Sequence, residues 1–181
     1  MSRISGPAAE LYFQQGLQLS HAGAYEDAIT SFDQALEFYP GLAEVWFFRG
    51  MACSELGQYA EAVTSFKQAV DLQPDYPEAF NNQGIALFNL SSYEAAIAAY
   101  DGALKLRGDY YQAWFNRGNA FDKLGCYQAA LDSYQQALAI EPDYAKAWYN
   151  QGITLSKLGQ YEAAIASYDQ AIAFRPHYSN A

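Results

Sequence analysis

Apolar residues in this chain fall on two short helical faces that return every 34 residues. The stretch Ala43–Tyr76 shows the unit most cleanly. Trp46, Gly50 and Cys53 are separated by four and three residues, and so are Ala62, Phe66 and Ala69. Those steps align one face of an α-helix. Positions 1–14 of the unit are therefore expected to form one helix and positions 18–31 a second. Leu56-Gly57-Gln58-Tyr59 lies between them, and Gly57 suits the left-handed residue that ends a helix. Pro74 stops the second helix, because proline cannot continue it. The same pattern occupies 9–42, 77–110, 111–144 and 145–178 without insertion or deletion. Residues 1–8 read as a frayed leader and 179–181 as a tail. A fixed period of this length marks a repeat array, here a single one over 9–178, in which each unit packs on its neighbours.

The columns of the array carry the packing. The eighth position is Gly16, Gly50, Gly84, Gly118 and Gly152. Glycine inside a helix costs about 1 kcal/mol relative to alanine, so five in register must serve close approach of the two helices. The twentieth and twenty-seventh positions are alanine in every copy, and the seventeenth is always tyrosine. Phe32, Phe66, Tyr100, Tyr134 and Tyr168 supply the filler at position 24. Tyr12, Trp46, Phe80, Trp114 and Trp148 stand at position 4, and Pro40, Pro74, Pro142 and Pro176 at the helix stop.

Together these landmarks resemble the tetratricopeptide repeat, over nearly the whole chain. Ser91 stands where that pattern has its turn glycine, and Gly108 where it has its proline. Position 7, often apolar in the family, is Gln15, Arg49, Gln83, Arg117 and Gln151, which is expected to weaken local packing slightly. The resemblance implies an all-α fold: an α-solenoid of antiparallel helix pairs forming a right-handed superhelix, with the first helix of each pair lining a concave groove. Such arrays commonly end in an extra helix, and no such helix follows the fifth copy before Ala181. The outer face of the last helix, with Ile165, Tyr168 and Ile172, is thus expected to self-associate or to belong to a longer protein.

Charge narrows the partners. The net charge is −10 and the pI about 4.4, against nucleic-acid binding, which wants a basic stripe, and against an anionic membrane surface. It is graded: residues 1–42 carry −4, the next three copies −3, −2 and −2, and residues 145–181 carry +1. No apolar run would span a bilayer, so no membrane insertion is expected. Cys53 and Cys126 lie in different copies without metal spacing, as reduced thiols of a cytoplasmic protein would. The sequon Asn89-Leu90-Ser91 has no secretory signal before it. His21 and His177 lie far apart, and Asp75, Asp109 and Asp143 punctuate inter-repeat turns. No phosphate loop, dinucleotide fingerprint or nucleophile elbow is present. A catalytic site, a cofactor and a metal are not expected.

What varies between copies is the expected groove. Its N-terminal half is apolar and acidic: Phe13, Leu17, Phe47, Phe48 and Met51, with Glu10, Glu44 and Glu55. Its C-terminal half is rich in amides and lysines: Asn82, Asn116, Asn119 and Asn150, with Lys123, Lys146 and Lys157. Asn82, Asn116 and Asn150 resemble the asparagine ladder that some members of this family use on peptide main chains, since an amide both donates and accepts. The resemblance also brings a carboxylate clamp to mind, but Asn81 and Asn150 stand where two of its basic groups belong. Phe47, Phe48 and Met51 are candidates for an anchor pocket. Neighbouring residues on a helix diverge, so one phenylalanine is expected to pack between repeats. The function these residues suggest is a non-catalytic module binding an extended peptide or helix of a protein partner. Two alternatives are a scaffold that forms homo-oligomers through its ends or convex face, and a regulatory or targeting segment of a larger enzyme.

Overall fold

The structure is a computed structural model and describes residues 6–174. Residues 1–5 of the expected leader, the stop at Pro176, His177 and the tail lie outside the described residues. The chain folds as an all-α solenoid of antiparallel helix pairs. Among the described residues there are ten helices: α1 (Pro7–His21), α2 (Tyr25–Phe38), α3 (Ala43–Glu55), α4 (Tyr59–Leu72), α5 (Pro77–Asn89), α6 (Tyr93–Leu106), α7 (Tyr111–Lys123), α8 (Tyr127–Ile140), α9 (Ala145–Lys157) and α10 (Tyr161–Phe174). Each second helix starts one residue earlier than expected, at the tyrosine itself. Pro7 and Ala8 of the expected leader belong to α1, with Pro7 in the first helical position where its missing N–H costs nothing. The chain divides into two compact units, residues 1–92 and 93–181. In the first, α1 to α5 pack each on the next, and α3 also touches α1 and α5. In the second, α6 to α10 do the same, and α7 also touches α9.

The glycine column explains the pairing. A Cβ placed on Gly50 would sit 2.8 Å from the Phe66 ring, and one on Gly118 2.5 Å from the Tyr134 ring. The helices of a pair therefore close until an aromatic ring lies against bare backbone. Phe32 and Phe66 are fully buried, and Tyr100 and Tyr134 nearly so. Burying such a side chain contributes about 2 kcal/mol. The alanines at positions 20 and 27 are buried in all five copies and let the neighbouring helix approach. The turn behaves as the sequence suggests: Gly57 has φ 73°, Gly125 75° and Gly159 74°. Ser91 adopts the same left-handed conformation at φ 60°, which costs a residue with a Cβ about 1 kcal/mol.

Position 7 departs from expectation. Arg49 does not weaken packing but ties three helices together. Its Nε donates to Asp33 Oδ1 on α2 at 2.6 Å and its Nη1 to Ser65 Oγ on α4 at 2.8 Å. Arg117 repeats the staple with Asp101 at 2.7 Å and Ser133 at 2.9 Å. The serines are buried and donate in turn to Glu61 O and Ala129 O, so no polar atom of the staple is stranded. In the fifth copy Ser167 Oγ donates to Gln151 Oε1 at 3.1 Å. The helix stop gains a second role, because Trp46, Trp114 and Trp148 donate their indole N–H to the carbonyls of Pro40, Gly108 and Pro142. Gly108 can replace proline there since only its carbonyl is needed.

Candidate functional site

In the first unit the side chains singled out from the sequence divide into core and wall. Phe13 is buried, with its ring 6.1 Å from Phe32 and 5.8 Å from Phe48. The adjacent phenylalanines diverge. Phe47 packs on Phe66 at 5.8 Å and Tyr76 at 4.9 Å, whereas Phe48 turns to Phe13 and Phe32. Phe48, whose ring partners lie in the preceding copy, is thus the one that packs between repeats, and the ring partners of Phe47 lie in its own copy. Phe48 and Met51 line a cavity of about 250 Å³ between α1 and α3, with Leu17, Ser20, His21, Tyr25, Ala52 and Glu55. Ser20 Oγ is buried there without a hydrogen-bond partner. Ser54 and Ser156, at the same repeat position, donate to the carbonyls of Gly50 and Gly152. Asn82 is half-buried, and its Nδ2 donates to Glu78 O at 2.9 Å, which leaves its Oδ1 and second N–H for other contacts. Cys53 is buried and burial pushes its thiol pKa up, so it stays protonated.

The second unit brings its polar residues together. Asn119 Oδ1 accepts from Asn150 Nδ2 at 2.7 Å and from the Tyr134 hydroxyl at 2.9 Å. Burial raises the Tyr134 pKa, so the phenol remains a donor. Asp122 accepts from Thr154 Oγ1 at 2.9 Å and from Lys157 Nζ at 2.5 Å. Lys157 also lies over the Tyr127 ring at 5.4 Å. Asn119, Asn150 and Lys157 therefore bridge the α7–α9 junction, and Lys123 and Lys146 are exposed on these helices, as is part of Lys157. Asn116 is half-buried on α7. The candidate residues read from the sequence do not include Asp122 or Thr154, and Tyr134 enters there only as core filler. The signal for Asp122 and Thr154 is a paired departure, Asp at position 12 of one copy and Thr at position 10 of the next.

On α10, Ile165 is 60% and Ile172 49% exposed, whereas their counterparts of Ile172, namely Leu36, Val70, Leu104 and Leu138, are 7–9% exposed. Tyr168, placed with them from the sequence, points inward: its ring covers Gly152 and lies 5.9 Å from Tyr149. Among the described residues no helix is long and apolar enough to cross a membrane.

Known proteins agree with this architecture. A family model described as tetratricopeptide repeat matches residues 111–144 and 145–178, and a second of the same description matches 13–77 and 49–111. No curated protein matches the chain. Among solved structures, MamA 41-end from Desulfovibrio magneticus RS-1 is 20% identical over 96% of this chain and 98% of its own, with a TM-score of 0.89. A crystal structure of MamA is 24% identical over 89% of this chain and 94% of its own, with a TM-score of 0.86. YrrB, described as a TPR protein with an unusual peptide-binding site, is 25% identical over 92% of this chain and 86% of its own, with a TM-score of 0.79.

Proposed function

The chain belongs to the tetratricopeptide repeat family, and from that premise we propose that it is a non-catalytic, cytoplasmic module that binds a segment of a protein partner on the faces of its first helices. One observation carries the reading. Several of the positions that differ between copies are left reachable by the packing: Lys123, Lys146 and Glu55 are exposed and Asn82, Asn116 and Asn150 half-buried, while the alanine columns and the filler of the first four copies are closed. The likeness to YrrB, described as having a peptide-binding site, supports the same reading. Amides on these faces would meet peptide main chain whatever its sequence, and apolar side chains would supply anchors. The lysines of the second unit suit an acidic segment, and the acidic first unit a basic one. Affinity capture from source lysate tests this. Asn82, Asn116 and Asn150 replaced together by alanine should lose partners that the native chain retains, with the helical circular dichroism unchanged. Undiminished capture would reject the asparagines as contacts.

A second reading rests on the exposure of Ile165 and Ile172. In this reading α10 joins a second copy of the chain, burying a face whose counterparts on α2, α4, α6 and α8 are covered. Sedimentation should then show concentration-dependent oligomers that Ile165→Asp or Ile172→Asp disperses. A monomer at the highest soluble concentration would rule the reading out.

A further inference from the structure

The cavity between α1 and α3 is open at a junction that the second unit closes. Moved along the chain by three repeats, Leu17, Ser20, Phe48, Ala52 and Glu55 become Asn119, Asp122, Asn150, Thr154 and Lys157. In the second unit those side chains reach across α7 and α9 and bond to one another. In the first unit Ser20 and Ala52 both line the cavity, Ala52 has no hydroxyl to offer where the second unit has Thr154, and the Ser20 hydroxyl is buried and unpartnered. A buried polar group left this way is costly, and its twins Ser54 and Ser156 avoid the cost by bonding their own helix. The rim charge is also reversed, with Glu55 in the place of Lys157.

We infer that this cavity receives one bulky apolar side chain of a partner segment that carries lysine or arginine beside it, with the Ser20 hydroxyl hydrogen-bonding the segment's main chain. The inference rests on the protein-binding reading above and names what that site takes. At about 250 Å³ the space exceeds the cavity of about 150 Å³ that holds benzene in an apolar interior, so an aromatic ring fits. Leu17, Phe48 and Ala52 make its walls apolar, and Met51 is a wall that adapts to the shape of its guest. Charge selects the flanks: residues 1–42 carry −4 and residues 43–76 carry −3, and Glu55 is exposed at the cavity. Like charges there would repel an acidic segment.

The chain has two methionines, Met1 and Met51, so the Met51 methyl carbon resonance is a clean reporter of the cavity in the full chain. The probe is a capped Gly-Lys-Trp-Lys-Gly peptide. It should shift the Met51 methyl saturably, and the same peptide with alanine for tryptophan should bind at least about tenfold more weakly. A glutamate-flanked tryptophan peptide should bind about threefold more weakly at low salt, and Glu55→Lys should invert that order. Ser20→Ala, the gentlest change, should weaken the lysine peptide about fivefold. Leu17→Trp should fill the cavity and abolish the response. A Met51 methyl that the lysine peptide leaves unmoved, or moves no more than the alanine or glutamate peptides do, overturns the inference. So does a methyl that shifts on concentrating the protein alone, which would put a second copy in the cavity. Such failures leave the wider reading intact if lysate capture still depends on Asn82, Asn116 and Asn150. Loss of that dependence with the Met51 response preserved would defeat the wider reading and spare the cavity.

Discussion

The α1–α3 and α7–α9 junctions share a backbone plan and differ in what fills it. In both, the first helix is seated on its own pair partner by glycine under an aromatic ring, Gly16 under Phe32 and Gly118 under Tyr134. One then leaves a cavity walled by Leu17, Phe48 and Met51, and the other knots itself with Asn119, Asn150, Asp122, Thr154 and Lys157. The comparison separates two layers of information in a repeat. Small residues and rings on the inner faces set the fold. Side chains at positions 6, 9, 10, 12 and 13 decide whether a junction is occupied by the protein itself or left for something else.

The strongest way to break this comparison is at the shared layer. Gly50→Ala and Gly118→Ala should each destabilise the chain by about 2 kcal/mol, because a Cβ at either site meets a ring at under 3.0 Å. Urea unfolding followed by far-ultraviolet circular dichroism measures the loss. The second substitution should cost more. The Tyr134 ring is pinned through its hydroxyl to Asn119, whereas Phe66 has no such tether and can yield. Equal losses would show that the network does not stiffen the ring.

At the layer that differs, equivalent positions should respond with opposite sign. Asp122→Ala removes the acceptor of both Thr154 and Lys157 and should cost about 2 kcal/mol, at the lower end in high salt since Lys157 is part exposed. Ser20→Ala, three repeats earlier, removes a buried hydroxyl that bonds nothing and should raise stability by about 1 kcal/mol. A loss at both positions would mean that Ser20 has a bond in solution and that the junction is less open than it looks.

The two layers were not equally legible. Helix pairs, their boundaries to within a residue or two, and the glycine–aromatic fit could be read from the chain, because each rests on spacing within one copy and recurs. The divergence of Phe47 and Phe48 followed from helix geometry alone. The role of Arg49 did not, because its partners Asp33 and Ser65 lie sixteen residues to either side in two other columns. Judged within its own column, an arginine in an apolar position looked like a defect. The closed network was hidden for a related reason. Their place in the repeat points Asn150 and Lys157 outward, and only the approach of α7 to α9 shows that Asn119 and Asp122 hold them.

The smallest expected effect concerns the filler at position 24, which is Phe32 and Phe66 in the first unit and Tyr100 and Tyr134 in the second. Burial raises the pKa of both phenols, and the Asp122 charge adds to the rise at Tyr134. A phenol whose folded value lies above its unfolded value of about 10 contributes stability that is complete below that value. That stability disappears as pH climbs toward the folded value, with a slope of at most about 1.4 kcal/mol per pH unit for each proton. Tyr76 in the first unit, pushed up to about 12 chiefly by burial, adds a similar slope, so the chain as a whole should lose stability above pH about 10. Tyr134→Phe restores in the second unit the residue type that the first unit uses. It should cost about 1 kcal/mol at neutral pH, the worth of the bond to Asn119, and then lose less than the native chain as pH rises. Thermal melts at steps from pH 8 to 11 would show the two stability curves converging. Curves that stay parallel across that range would mean that Tyr134 ionises in the folded chain as easily as in the unfolded one, and that the α7–α9 junction is as open to solvent as its counterpart.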